Sequence, residues 1–202
     1  MQFSSHVNIQ ASATLAMNML ALEKKRKGEQ VYNLTVGEPM IETPEVVIQA
    51  AENAIRRGET HYPPVVGIPE LLSAASRWMQ SAYQAEFQAK NTLVSCGGKH
   101  GLLMALQAVL ESNDEAIIIA PYWVSYPTMV TMVGGTPKII YTSAEEGWKV
   151  KPEQIEAACS GRTKVLILNN AANPTGVIYN HDEIASILQI VEKKNLIVIS
   201  DE

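Results

Sequence analysis

Short apolar runs alternate with segments of helical length through the second half of the sequence. Strands are predicted over residues 92–96, 116–120, 138–142, 164–169 and 196–200, and helices over residues 99–110, 124–133, 152–159 and 181–194. Asn180 and Glu183 form a capping box at the start of the last helix. Repeated alternation of this kind predicts an α/β fold, a mostly parallel sheet with helices on both faces.

The first 90 residues carry a different pattern. Helices are predicted over residues 12–27, from Thr43-Pro44 to Gly58, and over residues 68–86, with a strand over residues 31–36. The apolar positions of the third helix repeat at helical spacing, so we expect one inward face made of Leu71, Leu72, Ala75, Trp78 and Met79.

Several polar and glycine-rich segments directly follow predicted strands. Parallel sheets bind ligands at the carboxyl ends of their strands, so these segments should lie along one edge. They are Gly97-Gly98, Pro121–Trp123, Asn169–Gly176 and Asp201. This edge is the predicted binding site.

Gly97-Gly98 separates a predicted strand from an apolar helix. The first N–H groups of a helix are free to bind an anion, and glycine allows close approach of the backbone, so the segment could bind phosphate. A strand, two glycines and a helix also occur as a plain tight connection, and the residues alone leave both interpretations open.

Three other features of this edge have two interpretations each. Asp201 could cap a helix or form a salt bridge, or it could balance a bound cation, because an unpaired buried charge is costly. Asn173-Pro-Thr-Gly176 also follows a predicted strand and could serve the site, but taken alone it is better interpreted as an ordinary turn. Trp123 could belong to the core or stack on an aromatic ligand.

Composition excludes several classes of protein. Hydrophobic residues make up 47% of the 202 residues, which is typical of a globular chain, and the net charge of −5 with no basic patch argues against nucleic-acid binding. No apolar run could span a membrane, no signal-peptide pattern is present, and the four histidines show no metal-ligand spacing. The two cysteines also lack such spacing and suggest the cytoplasm.

Seven motifs, in order, resemble the pyridoxal-phosphate-dependent aminotransferases of the aspartate aminotransferase type, in the bacterial branch active on aspartate and related acids. The resemblance covers residues 11–202. The motifs are Ala11-Ser-Ala-Thr14, Gly37-Glu-Pro39, Tyr62 with Gly67 and Leu71, Gly97-Gly-Lys-His100, Pro121-Tyr-Trp-Val-Ser-Tyr-Pro127, Asn173-Pro-Thr-Gly176 and Ser200-Asp-Glu202.

The resemblance implies a role for each candidate residue. The cofactor phosphate would meet the backbone of Gly98, Lys99 and His100, together with Tyr62 of a neighbouring subunit in a homodimer. Trp123 would stack on the cofactor ring, Asp201 would pair with its nitrogen, and Asn173 would bond its hydroxyl. The α-carboxylate of the substrate would meet Asn173 and Gly37, and its side-chain carboxylate would meet Thr14 and Lys99. Without the resemblance, Lys99 would be read as a solvated lysine at a helix start.

The sequence also departs from the family pattern. Met40-Ile41, Leu72 and Ala171-Ala172 stand where the family usually has Asp-Phe, Arg and Pro-Asn. These departures concern substrate preference more than the cofactor. By resemblance, residues 1–40 form an arm and helix associated with a small domain, and residues 41–202 form part of a large cofactor-binding domain of the pyridoxal-phosphate-dependent transferase type, which is incomplete here.

The resemblance implies transamination of aspartate with 2-oxoglutarate, with a small amino acid and a 2-oxo acid as partners. It also implies that the Schiff-base lysine lies outside these 202 residues, so the chain contains no catalytic residue and should be inactive alone. Two alternatives stay open. One is an aromatic, prephenate or alanine aminotransferase or a carbon–sulfur lyase of the same fold, and the other is a non-catalytic binding module.

Overall fold

The computed structural model describes residues 13–35, 37 and 40–202. Contacts between residues separate the chain into two compact units, one with its body in residues 99–202 and the other formed by residues 17–98. The domain boundary near residue 40, expected from the family resemblance, stays a prediction.

The unit of residues 99–202 is built on a four-stranded sheet. All neighbouring strands pair in parallel, in the order β2-β1-β3-β4. The strands are β1 (Glu115–Ala120), β2 (Thr136–Tyr141), β3 (Thr163–Asn169) and β4 (Ile197–Asp201). The α/β fold class and four of the five strands predicted after residue 90 are therefore confirmed, with bounds that shift by one or two residues.

Helices cover both faces of this sheet. They are α4 (Gly98–Val109), α5 (Ser125–Met132), α6 (Pro152–Ala158) and α7 (His181–Lys194). Successive residues of a strand point to opposite faces. Accordingly, Ile117 and Leu166 pack with residues of α6 and α7, whereas Ile118 and Val165 pack with residues of α4 and α5. The predicted capping box at Asn180 and Glu183 is present, with Glu183 N–H donating to Asn180 Oδ1 at 2.9 Å.

The unit of residues 17–98 is mainly helical. Its helices are α2 (Glu45–Arg56) and α3 (Pro69–Tyr83), with a short 3-10 turn at Ala89–Asn91 and most of α1 (Ala13–Arg26). Gly67 shows why glycine is needed before α3: its φ is +115°, and an added Cβ would come within 2.8 Å of Val94. A side chain there would be strained by the backbone and would collide with its neighbour.

Two predicted strands are absent from the described structure. Residues 31–35 are irregular, and residue 36 lies outside the described part of the chain. Residues 92–96 are extended but form no ladder, and Val94 N–H donates to Val66 O at 2.9 Å. A strand exists only by pairing, and β-branched residues alone do not supply a partner.

Burial also corrects two expectations. Of the expected inward face of α3, Leu72 is buried, but Leu71 and Trp78 are exposed. The apolar run of residues 196–200 is typical of a strand buried on both faces, yet Ile197 is exposed. Among the described residues β4 is a terminal strand of the sheet, so it is covered less than β1 and β3.

Candidate functional site

The carboxyl ends of β1, β3 and β4 meet at one edge of the sheet. Asn169 and Asp201 are the last residues of β3 and β4, and the parallel register pairs them directly. Strand β1 ends at Ala120, and Pro121–Trp123 follows it. The predicted convergence of Trp123, Asn173 and Asp201 on one edge rests on this register.

Asp201 accepts a hydrogen bond at this edge from a buried tyrosine. Its Oδ2 receives the phenolic hydrogen of Tyr126, a residue that is only 2% exposed. Burial and the neighbouring Asp201 carboxylate both raise the pKa of Tyr126 above its ordinary value, so the phenol stays protonated and remains a donor. The carboxylate is half-buried and is fixed through one of its two oxygens.

Trp123 lies beside this pair. The first turn of α5 brings it against Tyr126, whose N–H donates to Trp123 O at 3.0 Å. The two rings meet edge to face, with centroids 5.4 Å apart and an interplanar angle of 85°. Edge-to-face contact is a preferred arrangement of aromatic rings, so it fixes the indole of a half-buried residue.

Lys99 reaches the same indole from the start of α4. Its Nζ lies 4.8 Å from the centroid of the Trp123 ring, within the range of a cation–π contact. The structure therefore brings Lys99, Trp123, Tyr126 and Asp201 into one chain of contacts.

The side chain of Asn169, at the end of β3, forms hydrogen bonds with both Asp201 and Asn173. Its Nδ2 donates to Asp201 O at 2.6 Å, and its Oδ1 accepts from Asn173 N–H at 2.6 Å. The segment that follows closes as a turn, with Ala172 N–H donating to Val177 O at 2.9 Å and Gly176 at a φ of +71°. Asn173 is thus held next to Asn169 with its side chain exposed, and the turn interpretation and a binding role are compatible.

Helix α4 begins at Gly98. Gly97 has a φ of +83°, which glycine adopts at no steric cost, and an added Cβ on Gly98 would meet nothing within 4 Å. The first N–H groups of an α-helix have no carbonyl partner within it, so the start of α4 offers donors to an anion in open space.

An open cleft borders this edge. Apolar and aromatic side chains, among them Tyr122, Trp148 and Tyr179, form much of its wall, and Asn169 and Asn173 add polar groups. Tyr126 lines the cleft as well, so the residue that holds Asp201 borders it.

Four of the residues assigned by resemblance lie outside residues 99–202, among them Gly98 at the start of α4. Thr14 is in the first turn of α1, and Gly37 and Tyr62 are exposed residues of irregular segments. The roles of all the residues assigned by resemblance stay predictions. Ala11, Ser12, Glu38 and Pro39, which belong to two of the seven motifs, lie outside the described residues.

The sequence alone assigns no individual role to two residues of this site. Tyr126 belongs to one of the seven motifs, and Asn169 begins a segment of the predicted binding edge. One signal was available for Tyr126, because Trp123 and Tyr126 are three residues apart at a helix start and must lie on one side of it. Nothing in the sequence alone indicated that its hydroxyl would meet Asp201, 75 residues away.

Two features are absent from residues 13–35, 37 and 40–202. No helix there is long and apolar enough to cross a membrane. No group of three or more His, Cys, Asp or Glu side chains there is arranged to hold a metal ion.

Comparison with known proteins identifies a family. Residues 29–202 match the sequence model described as "Aminotransferase class I and II". The chain is 39% identical over 191 residues to the aspartate/prephenate aminotransferase of Thermus thermophilus and 37% identical over 191 residues to the aspartate aminotransferase of Bacillus sp. strain YM-2. These matches cover 95% of this chain in each case but 50% and 49% of the relatives. The chain therefore spans about half the length of the curated relatives it matches.

Comparison with solved structures leads to the same family. The aspartate aminotransferase from Thermus thermophilus with maleate superimposes with a TM-score of 0.97 at 38% identity, covering 100% of this chain and 53% of that one. The aspartate aminotransferase of Thermotoga maritima gives 0.93 at 32% identity, covering 99% and 54%. The parallel sheet with its helices therefore matches the fold of these enzymes, of which this chain represents about half.

Proposed function

The chain belongs to the class I and II aminotransferase family, and from that premise we propose that the longer protein containing it transfers an amino group between an acidic amino acid and a 2-oxo acid, with pyridoxal phosphate as cofactor. Aspartate and 2-oxoglutarate are the proposed pair. When bound, pyridoxal phosphate supplies an aldehyde that takes up the amino group and a ring that accepts electrons. We call that longer protein the intact enzyme.

The observation that carries this proposal is the carboxylate of Asp201 at the sheet edge. It is half-buried, and the register with Asn169 and the hydrogen bond from Tyr126 fix its position. A carboxylate in such a place favours a cationic partner, because burial without one is costly. The protonated ring nitrogen of pyridoxal phosphate is such a partner.

The other residues of this edge fit the remaining parts of the cofactor. The start of α4 at Gly98 and Lys99 suits a phosphate, since backbone N–H groups and the helix dipole both favour an anion, and the resemblance adds His100 to this site. The indole of Trp123, fixed edge to face by Tyr126, supplies a flat surface for an aromatic ring. The exposed amide of Asn173 can bond a ring hydroxyl and a substrate α-carboxylate.

We further propose that Lys99 and Thr14 receive the side-chain carboxylate of the substrate. Lys99 is an exposed cation whose Nζ lies over the ring of Trp123, the residue proposed to stack on the cofactor. Two findings on relatives support an acidic substrate: the printed names include aspartate, and one solved neighbour was obtained with maleate, a four-carbon dicarboxylate. The name aspartate/prephenate keeps a prephenate-type substrate as the second candidate.

Residues 1–202 alone should be inactive under this proposal. The family's covalent chemistry needs a Schiff-base lysine, which the resemblance assigns to the part of the enzyme not included in this sequence. Lys99 is assigned to substrate binding rather than to that role.

We also propose a homodimer, in which Tyr62 of one subunit meets the cofactor phosphate of the other, and a cytoplasmic location. The full exposure of the Tyr62 side chain is compatible with contact to a partner.

Transamination by the intact enzyme tests the proposal. Purified enzyme with pyridoxal phosphate should convert aspartate and 2-oxoglutarate to oxaloacetate and glutamate, followed through a coupled dehydrogenase. Prephenate as the amino-group acceptor, and neutral aromatic amino acids as donors, are assayed in parallel to distinguish the second candidate. Binding of the cofactor without amino transfer to any 2-oxo acid would contradict the proposal.

A further inference from the structure

Tyr126 is a buried residue that the proposed chemistry leaves without a role. Its ring packs among Leu106, Met129 and Val130 in the core formed with α4 and α5, where a phenylalanine would fill the same space. The hydroxyl needs a partner in such an environment, since burying an unbonded hydroxyl is costly. Its partner is the carboxylate of Asp201.

We propose that Tyr126 is a positioning residue: its hydroxyl holds one oxygen of the Asp201 carboxylate, so that the other oxygen faces the nitrogen of the bound cofactor ring. This inference rests on the proposed function, because it assumes that Asp201 meets a ring nitrogen. It adds to that function a residue of α5, Tyr126, that determines the orientation of the Asp201 carboxylate.

The hydrogen bond restricts the carboxylate in a way that the backbone does not. The strand register fixes where the backbone of Asp201 lies, but its side chain can still rotate about two bonds. A bond from a phenol that is itself packed in the core selects one rotamer and one oxygen. Preorganisation of this kind matters because a charged group held in place does not have to be ordered when the ligand binds.

The same residue also fixes the surface proposed for ring stacking. The rings of Tyr126 and Trp123 meet edge to face at 5.4 Å, so the Tyr126 side chain contacts both the indole of Trp123 and the carboxylate of Asp201. The phenol remains a donor at neutral pH because burial and the carboxylate raise its pKa. Removing only the hydroxyl of Tyr126 should therefore leave the Trp123 indole in position while the Asp201 carboxylate becomes free to rotate.

The test compares two ligands on Tyr126→Phe in the intact enzyme. One is pyridoxal phosphate, and the other is its deaza analogue, in which a C–H group replaces the ring nitrogen. Dissociation constants come from quenching of tryptophan fluorescence, without any measurement of activity. Wild-type enzyme should prefer the natural cofactor, and Tyr126→Phe should weaken its binding by about tenfold, at the low end for a hydrogen bond to a charged group. The affinity for the deaza analogue should stay within about twofold, because it offers nothing to the carboxylate.

Two further variants exclude a merely structural role. Thr163→Val removes another buried hydroxyl, which donates to the carboxylate of Glu115 at 2.7 Å on the opposite edge of the sheet, and it should leave the ratio of the two affinities unchanged. In an Asp201→Asn background, Tyr126→Phe should cause no further loss of preference, because the two residues act as one unit.

The outcomes separate the inference from the proposed function. Equal weakening of both ligands by Tyr126→Phe, or no weakening of either, overturns the inference while the wild-type preference for the natural cofactor upholds the role of Asp201. A wild-type enzyme that binds both ligands equally well refutes the ring-nitrogen contact itself, and the inference fails with it.

Discussion

Glu115 offers the clearest quantitative prediction about stability. It lies at the first residue of β1, at the edge of the sheet opposite to Asp201. Its side chain is only 6% exposed, and its Oε2 accepts from Ser160 Oγ at 2.6 Å and Thr163 Oγ1 at 2.7 Å. Lys138 and Arg162 add ion pairs at 3.2 and 3.0 Å. We predict that Glu115→Gln destabilises the intact enzyme at neutral pH.

The magnitude follows from the pKa of this carboxyl. Hydrogen bonds from Ser160 and Thr163, and then Lys138, lower the pKa of Glu115 from 4.5 to about 2. One pKa unit corresponds to about 1.4 kcal/mol, which sets an upper limit of about 3 kcal/mol for the charged form. Lys138 and Arg162 are partly or mostly exposed, so solvent screens their share. We therefore expect a loss of about 1–2 kcal/mol on replacing the carboxylate by an amide.

The sign of the pH dependence is fixed by the direction of the shift. The folded-state pKa of Glu115 lies below its unfolded value, so the carboxylate stabilises the folded state fully above about pH 4.5. This stabilisation is lost as the pH falls from about 4.5 towards 2. The difference between wild-type and Glu115→Gln enzyme should therefore shrink across that range.

Urea unfolding, followed by circular dichroism at pH 7 and at pH 3, measures this effect. With a typical denaturant slope, a loss of about 1–2 kcal/mol lowers the urea midpoint by about 0.5–1 M. Glu156→Gln is a matched control, because Glu156 also forms ion pairs, with Lys193 and Lys194, but is far more exposed. Glu156→Gln should lower the free energy of unfolding less than Glu115→Gln does. Equal losses in the two variants, or a Glu115→Gln loss that persists undiminished at pH 3, would refute the reasoning.

Three predictions concern the candidate site in the intact enzyme. Gly98→Val should weaken the binding of pyridoxal phosphate with little change in thermal stability, since an added Cβ there meets nothing within 4 Å, and unaltered affinity would show that the phosphate site is elsewhere. Asp201→Ala should reduce kcat far more than it reduces the unfolding temperature, and a near-normal rate would rule out its role as partner of the ring nitrogen. Lys99→Ala should lower kcat/KM on aspartate and glutamate by about one to two orders of magnitude, because a hydrogen bond to a charged group contributes roughly 1.5–3 kcal/mol, but should affect neutral aromatic substrates much less. Equal losses on both substrate classes would show that Lys99 does not recognise the side-chain carboxylate.

The sheet could be predicted from the sequence because its signals are local and agree with one another. The apolar run ending at Asn169 and the capping box at Asn180 each define an element, and strict alternation then requires parallel pairing. The predicted strand over residues 92–96 failed for a complementary reason. Its composition suits a strand, but hydrogen-bonding partners decide whether a strand forms, and a local pattern does not contain them.

The candidate site was predictable only in part. The rule that ligands bind at the carboxyl ends of parallel strands placed Asp201, Trp123 and Asn173 at one edge, and the register of β3 and β4 is consistent with it. The bond from Tyr126 to Asp201 was not predictable, because it depends on how the first turn of α5 packs against the end of β4. Exposure of Trp78 has the same origin, since periodicity identifies an apolar face but does not show what covers it.

A crystal structure of the intact enzyme with pyridoxal phosphate tests the central claim most directly. We predict that the ring nitrogen lies within about 3 Å of the Asp201 oxygen that Tyr126 does not hold, a normal hydrogen-bond distance. We also predict that the ring stacks on Trp123 and that the phosphate contacts the N–H groups at residues 98–100. A cofactor bound elsewhere, or one whose ring nitrogen faces a group other than Asp201, would contradict it.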